Sequence, residues 1–532
     1  MAYVLAYDIG TTGVKTCIFS LEDKIKLLAD ANEGYGLYIG EHGEAEQDTE
    51  EWWGAMCSTT RKALGKAKLS GSDIAGISFC SQMQGLVLTD EAGNALRRPM
   101  SYMDQRATAE LKEGLSGGIE IAGGNIVKML RSLIINRAAA SSVKDPVWKY
   151  KWVEKNEPEI FEKVSWWLDV KDYLVARCTG NVAMTEDSAF STFLIDTRKG
   201  HEGTWNDSLC KMYKVNREHL PPIIKTCDEA GKLTEKAAAD LGLVPGIPVF
   251  GGGGDASLIG IGAGCVNVGE THAYCGTSGW ISTVVDRQYV DVDAMIAAAV
   301  GAESGLYNYF AEMETAGKCL EWVKDHLALD EIDVYLEKKD IVGHSKERIY
   351  TSLYDYMTET IRKVPAGSGG VIFTPWLHGN RCPFEDPHAA GMFFNIRLET
   401  GKAQMIRAVT EGVCYHLRWM LECQDKKIKT SDKIRFVGGG ALSDVTCQIL
   451  ADVTGRTVET VDKPQNVGSV GAAAVCGVGL GLIGSMSDVG SFIEVKDTYA
   501  PNPENKAVYD RGYAVFRELY KSNKEHFAKL NS

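Results

Sequence analysis

Two turns far apart in the chain carry the same chemistry, and they restrict what it can fold into. Tyr3–Ser20 reads YVLAYDIGTTGVKTCIFS, and Thr271–Val285 reads THAYCGTSGWISTVV. Each is an apolar run, a small-residue turn with Gly-Thr-Thr or Gly-Thr-Ser, and a second apolar run. That pattern predicts a β-hairpin whose turn presents backbone N–H groups and hydroxyls, the groups that hold phosphate oxygens. One hairpin in each half predicts two similar domains with a phosphate chain between them. Asp8, the acidic residue of the first turn, cannot bind phosphate itself. It makes sense beside a metal ion that the phosphates also bind.

The chain has 532 residues, enough for two to four domains at roughly 150 residues each. A net charge of -14 with no basic run argues against nucleic acid as a partner. The start, MAYVLAYDIG, lacks the basic-then-apolar pattern of a secretion signal, and no stretch of about 18 uncharged apolar residues predicts a membrane span. The 14 cysteines are scattered without a C-x-x-C pair. They read as small buried hydrophobes in a reducing, cytoplasmic setting. The oligomeric state is open, a homodimer among the options.

Strands are predicted at Tyr3–Tyr7, Val14–Ser20 and Ile74–Cys80, and a helix over Glu50–Ala67 capped by Asp48 or Thr49. Residues 105–240 read as mostly helical. Pro and Gly punctuation at 244–254 marks a domain boundary. The second half repeats the strand-rich opening. It adds a helix near Lys402–Gln424, a strand Ile434–Val437 entering Gly438-Gly-Gly-Ala441, and a terminal amphipathic helix with Tyr509, Tyr513, Phe516 and Tyr520. The expected division is 1–249 for a first domain, 250–490 for a second and 491–532 for a helical tail.

Three segments could carry chemistry. In Asp8-Ile-Gly-Thr-Thr-Gly-Val-Lys15, glycines allow close approach, Thr11 and Thr12 add hydroxyls and Lys15 adds charge. A plain hairpin turn would need only one glycine. Gly276-Thr277-Ser278-Gly279 is weak alone and gains from its pairing with the first. Gly251–Asp255 presents a carboxylate with no bulky residue before it. Asp255 can accept a hydroxyl proton as that oxygen attacks a γ-phosphate, or can cap a helix over Ala256–Ala263 behind a flexible hinge. The run Gly438–Asp444, with Gly439 and Gly440, fits either a nucleotide lying on the backbone or close strand–helix packing. The polar clusters Ser81–Gly85 and Asp104–Arg106 follow apolar strands and read as surface loops or as partners of a polyhydroxylated ligand.

Together these residues resemble the FGGY family of carbohydrate kinases, and within it the xylulokinase branch. The likeness spans nearly the whole chain. It runs through Asp8-Ile-Gly-Thr-Thr, Glu46-Gln-Asp-x-x-x-Trp-Trp53, Gln82-Met-x-Gly85, Lys171-Asp-Tyr-Leu174 and Gly276-Thr-Ser. It continues through Pro375-Trp-Leu-x-Gly-x-Arg-x-Pro383, Arg407-Ala-x-x-Glu-Gly412, Gly438-Gly-Gly-Ala and Gln448-x-x-Ala-Asp-x-x-Gly455. The resemblance implies an α/β fold of two actin-like, ribonuclease-H-like domains flanking a cleft. ATP and Mg2+ would sit mainly on the second domain and a sugar or polyol mainly on the first. Asp255 matches the catalytic base and Asp8 the metal-linked carboxylate. Thr11, Thr12 and Thr277 match phosphate-binding positions, with Lys15 and Gly276 beside them. Gly317, Gly439, Gly440 and Asp444 match nucleotide-facing ones. Met83 and Gln84 match the substrate dipeptide, with Asp104 and Arg106 as further acceptor contacts.

Two positions depart from the xylulokinase pattern: Gln84 stands where His is usual, and Ala256 where an amide is usual. A site built around one hydroxyl discriminates strongly, so these changes bear on the acceptor. The expected reaction is ATP-dependent phosphorylation of a ketopentose such as D-xylulose to the 5-phosphate. Ribulose, a tetritol, a glycerol-like polyol and gluconate stay open as acceptors. An actin-like ATPase switch without a sugar acceptor is the alternative from another class.

Overall fold

The computed structural model describes residues 2–117, 120–121, 124–328 and 353–531. Two sheets organise the chain. The first contains β1 (Ala2–Ile9), β2 (Gly13–Leu21), β3 (Ile25–Gly34), β4 (Ile74–Ser81), β5 (Glu229–Lys232), β6 (Pro248–Phe250) and β7 (Gly253–Gly254), in the order β5-β6-β4-β1-β2-β3 with β7 also on β4. The second contains β8 (Thr271–Cys275), β9 (Gly279–Val285), β10 (Val290–Asp291), β11 (Ile296–Val300), β12 (Tyr307–Met313), β13 (Lys433–Val437), β14 (Thr457–Val461) and β15 (Val495–Tyr499), in the order β10-β11-β12-β9-β8-β13-β14-β15. Both expected hairpins form: β1 pairs antiparallel with β2 and β8 with β9. Each hairpin takes a third antiparallel strand on one side and parallel strands on the other. The two halves therefore repeat one topology, as the matching turns predict.

The helices that position the site are α1 (Thr49–Ala67), α2 (Pro146–Asn156), α3 (Val170–Thr179), α4 (Glu186–Ser191), α5 (Asp255–Gly262), α6 (Gly317–Val323), α7 (Leu353–Arg362), α8 (Lys402–Asp425), α9 (Asp444–Thr454), α10 (Val467–Gly479) and α11 (Lys506–Asn531). Helix α1 starts where Asp48 accepts the Glu50 N–H and stops at Lys68, which adopts φ 58°. It buries Trp52, Trp53, Met56 and Leu64 against the first sheet, at about 1.5–3 kcal/mol for each large side chain. Helix α5 follows β7 and α10 follows β14, and the two helices pack on each other, joining the halves through a shared apolar cluster. All 14 cysteines are free, and all but Cys227 are buried.

The first sheet runs on to Gly254, where β7 pairs with β4. Two elements differ from expectation. Helix α5 begins at Asp255 with Gly254 as its cap residue, so Asp255 is a first-turn residue rather than the cap. The tail does not begin as a helix: Val495–Tyr499 pairs with β14 as an edge strand, and its exposed, charged sequence hides it from a pattern search. Helix α11 then buries Tyr509, Tyr513, Phe516 and Tyr520 as expected.

Candidate active site

The site is built on strand ends. Parallel pairing of β1 with β4 sets Asp8 beside Cys80, and β7 pairs Gly254 with Ser81. The chain then turns into α5, so Asp255 comes to the mouth of the first sheet near Asp8. Gly254 lets Met83 pack on the base-bearing turn: a Cβ would lie 2.2 Å from Met83 Cγ and Sδ, so a larger residue here displaces the Met83 side chain. The base candidate and the acceptor dipeptide are thus neighbours.

Burial dominates the electrostatics. Asp255 is pushed up to about 7, chiefly by desolvation, with Asp8, Glu312 and Asp169 adding repulsion and the Ala256 N–H opposing it. Its Oδ1 accepts that N–H at 2.8 Å. Asp8 is also raised by burial, offset by the Lys15 charge and the Cys80 thiol. Its carboxylate lies against the first turn of α10, where a Cβ at Gly468 would come 2.9 Å from Oδ2. A helix N-terminus favours negative charge there.

Around the first turn, a cavity of about 440 Å³ is lined by Asp8, Thr11, Thr12 and Lys15 together with Asn32 and Glu33. The Lys15 ammonium does not stand free: Nζ donates to the Gln465 carbonyl at 2.6 Å, bridging the first hairpin to the start of α10. Thr12 is exposed. The Thr11 hydroxyl lies 3.4 Å from Tyr102 Oη, a cleft residue that the sequence did not single out.

The expected nucleotide positions converge in the second half. Gly276, Thr277, Gly317, Gly439, Gly440 and Asp444 all line one cavity of about 640 Å³. The turn carbonyls of Gly276 and Thr277 accept N–H groups from Gly317 (2.8 Å) and Ala316 (3.0 Å), locking the hairpin to α6. Helix α7 closes another wall. Its Arg362 grips Asp444 with two bonds of 2.8 and 2.9 Å, which holds the Asp444 carboxyl below its usual range. No motif marks Arg362, and its position depends on packing alone.

The acceptor side is less uniform. Gln84 sits at φ 62° with its side-chain amide unpaired among the described residues, and its N–H donates to Asp169 at 3.0 Å. Asp104 is wholly buried. Its carboxylate accepts the Ala45 N–H at 2.9 Å and pairs with Arg106 at 2.8 Å. Arg106 also pairs with Glu46 at 2.6 Å and stacks over Trp152. These two residues spend their polar atoms on each other and on their surroundings, forming the frame behind the acceptor loop rather than free ligands. Asn308 Nδ2 reaches the Ala256 carbonyl at 3.2 Å, placing an amide beside the position where the side-chain amide is missing.

No group of three or more His, Cys, Asp or Glu that could hold a metal occurs among the described residues. Asp8 makes no salt bridge among the described residues, feels the charge of Lys15, and faces the phosphate-type turn.

Comparison with known proteins identifies the family. The profile of the FGGY family of carbohydrate kinases, N-terminal domain, matches residues 3–262, and that of the C-terminal domain matches residues 272–480. A xylulose kinase of Staphylococcus epidermidis is 28% identical, covering 99% of this chain and 98% of its own length. A gluconokinase of Bacillus licheniformis is 25% identical, covering 99% and 98%. An autoinducer-2 kinase of Klebsiella pneumoniae is 27% identical, covering 98% and 94%. The solved xylulose kinase of Lactobacillus acidophilus superimposes with a TM-score of 0.84 at 24% identity, covering 100% of both chains.

Proposed function

The chain belongs to the FGGY family of carbohydrate kinases and phosphorylates a sugar with ATP, and we propose that it transfers the γ-phosphoryl group directly to a terminal hydroxyl held between Asp255 and the Met83–Gln84 loop. The observation that carries this reading is the carboxyl of Asp255. It is desolvated, raised to about 7, and carried directly after Gly254, whose Cα faces Met83. A base of that pKa is about half ionised at neutral pH and accepts a proton readily as the hydroxyl oxygen attacks phosphorus. The nucleotide base and ribose take the cavity between α6, α7 and α9. Thr277, Thr11 and Thr12 contact the phosphates from the two turns.

Asp8 would hold Mg2+, which when bound neutralises charge on the phosphates. Lys15 acts at a distance, fixing the first hairpin to the start of α10 and offsetting the charge of Asp8. Water exclusion follows from the site's position between the two repeats, where a lone water would otherwise compete as acceptor.

For the acceptor we favour a ketopentose such as D-xylulose, on the strength of the xylulose kinase relatives. Gln84 and Ala256 are the residues that set this enzyme apart, and the gluconokinase and autoinducer-2 kinase relatives show how far acceptors diverge at similar identity. Free, buried cysteines support a reducing, cytoplasmic setting. No helix among the described residues is long and apolar enough to cross a membrane. A coupled ADP-release assay over ketopentoses, tetritols, glycerol and gluconate tests the assignment. The highest kcat/KM on D-xylulose supports it, and a preference of tenfold or more for an acceptor of another class rejects it.

A further inference from the structure

The Lys171-Asp-Tyr-Leu174 motif has no part in the transfer just described, yet the structure buries it beneath the site. Lys171, Asp172, Asp169, Thr185 and Asp187 are each no more than 3% exposed. A buried charge is tolerated only when paired, and Lys171 is the cation of this group. Its Nζ donates to Asp172 Oδ1 at 2.6 Å and to the Thr185 hydroxyl. Thr185 in turn donates to Asp187 Oδ1 at 2.5 Å. The other oxygen of Asp187 accepts the Gly254 N–H at 2.7 Å, one residue before Asp255. Asp169, at the head of α3, accepts the Gln84 N–H at 3.0 Å and the Gly85 N–H at 2.9 Å. The acceptor loop and the base-bearing turn therefore hang from two carboxylates, Asp169 and Asp187, the second tied to Lys171 through Thr185.

We infer that Asp169, Lys171 and Asp187 are positioning residues that hold the Met83–Gln84 loop and the Gly254–Asp255 turn at one fixed separation, acting through backbone N–H groups. This rests on the reading of Asp255 as the base. A buried ion pair is by itself weak evidence of a stabilising role, since apolar replacements often fold as well. The direction of these carboxylates is what argues for position. Each spends an oxygen on the backbone of a segment that faces the acceptor, 85 and 67 residues away in sequence. Misplacement by about 1 Å at such a site costs on the order of 10²-fold in rate.

The two carboxylates should separate kinetically. Asp187→Asn weakens the hold on the base turn and should lower kcat at least about tenfold, with acceptor KM within about twofold. Asp169→Asn loosens the acceptor loop and should raise acceptor KM at least about tenfold, with kcat within about threefold. It should also move the acid limb of kcat/KM to lower pH, because Asp169 is one of three carboxylates facing Asp255, with Asp8 and Glu312. Asp169 itself is faced by Asp172, Lys171 and Lys149. Asp187→Asn should leave that limb in place. Nucleotide KM should be unchanged in both. Where an amide variant does not fold, Asp187→Glu and Asp169→Glu keep the charge and displace it by one methylene, with the same expectations for kcat and KM. Losses of kcat and KM in parallel that track a lowered melting temperature would overturn the inference, as would wild-type kinetics in both variants. Near-normal turnover in Asp255→Asn would instead overturn the reading of the base on which it rests.

Discussion

Replacing Asp255 with Asn should abolish turnover and stabilise the protein, and the second effect depends on pH in a calculable way. The carboxyl is raised from 3.8 to about 7 by burial, so the fold holds the ionised form at a penalty. Three units correspond to about 4 kcal/mol. The side chain opens onto the cleft and is only half-buried, so solvent screening reduces this to about 2 kcal/mol. The sign follows from linkage. A carboxyl whose folded pKa is raised is cost-free below its unfolded value near 3.9. The cost grows as pH rises and is complete above about 7. Asp255→Asn removes it. The variant should therefore be more stable by about 2 kcal/mol at pH 8.5, and by a smaller amount at pH 5 that vanishes toward pH 3. Denaturant titration of both proteins at the two pH values reads this directly, alongside an activity loss of at least about 10²-fold. Equal stability of variant and wild type at both pH values would refute the desolvated carboxyl. Preserved turnover would refute its role as base.

In the wild type, kcat/KM should fall about tenfold for each pH unit below about 7 as Asp255 protonates, and a flat profile down to pH 5.5 would contradict this. Gly254→Ala places a Cβ 2.2 Å from Met83 and should cut kcat/KM for the acceptor at least about 10²-fold, while calorimetry finds nucleotide binding intact. Asp8→Asn should raise the Mg2+ concentration needed for half-maximal rate at least about tenfold, and an unchanged Mg2+ titration would remove Asp8 from the metal site. Gln84→His, at a backbone position with φ 62°, should change the ratio of kcat/KM values among ketopentoses and polyols at least about tenfold without changing ATP KM.

The parts of this site legible in the sequence are those set by local chemistry. The turns at Gly10–Gly13 and Gly276–Gly279 announce themselves because strand, turn and strand lie within a few residues. Asp255 stands out because four glycines precede it. The six nucleotide positions share a cavity because each follows a strand end in one sheet. What the sequence hides depends on long-range packing. Asp169 and Asp187 look like ordinary helix-start residues until the fold brings Gln84 and Gly254 to them. Lys15 reads as a phosphate ligand from its neighbours, yet its partner is the carbonyl of Gln465, 450 residues on. Asp104 and Arg106 read as surface-loop residues or as acceptor contacts, but Glu46 and Trp152 come from other elements to enclose them. The edge strand Val495–Tyr499 lacks the buried alternation that marks the inner strands, so only its pairing with β14 reveals it.

The central claim is that Asp255 delivers a sugar hydroxyl to the γ-phosphate of ATP. Simultaneous quantification of ADP and sugar phosphate, with and without D-xylulose, tests it most directly in the wild type and in Asp255→Asn. The account predicts that ADP release requires the acceptor, matches sugar phosphate one to one, and is lost in the variant. ADP release that is equal without any acceptor, and unaffected by Asp255→Asn, would contradict it.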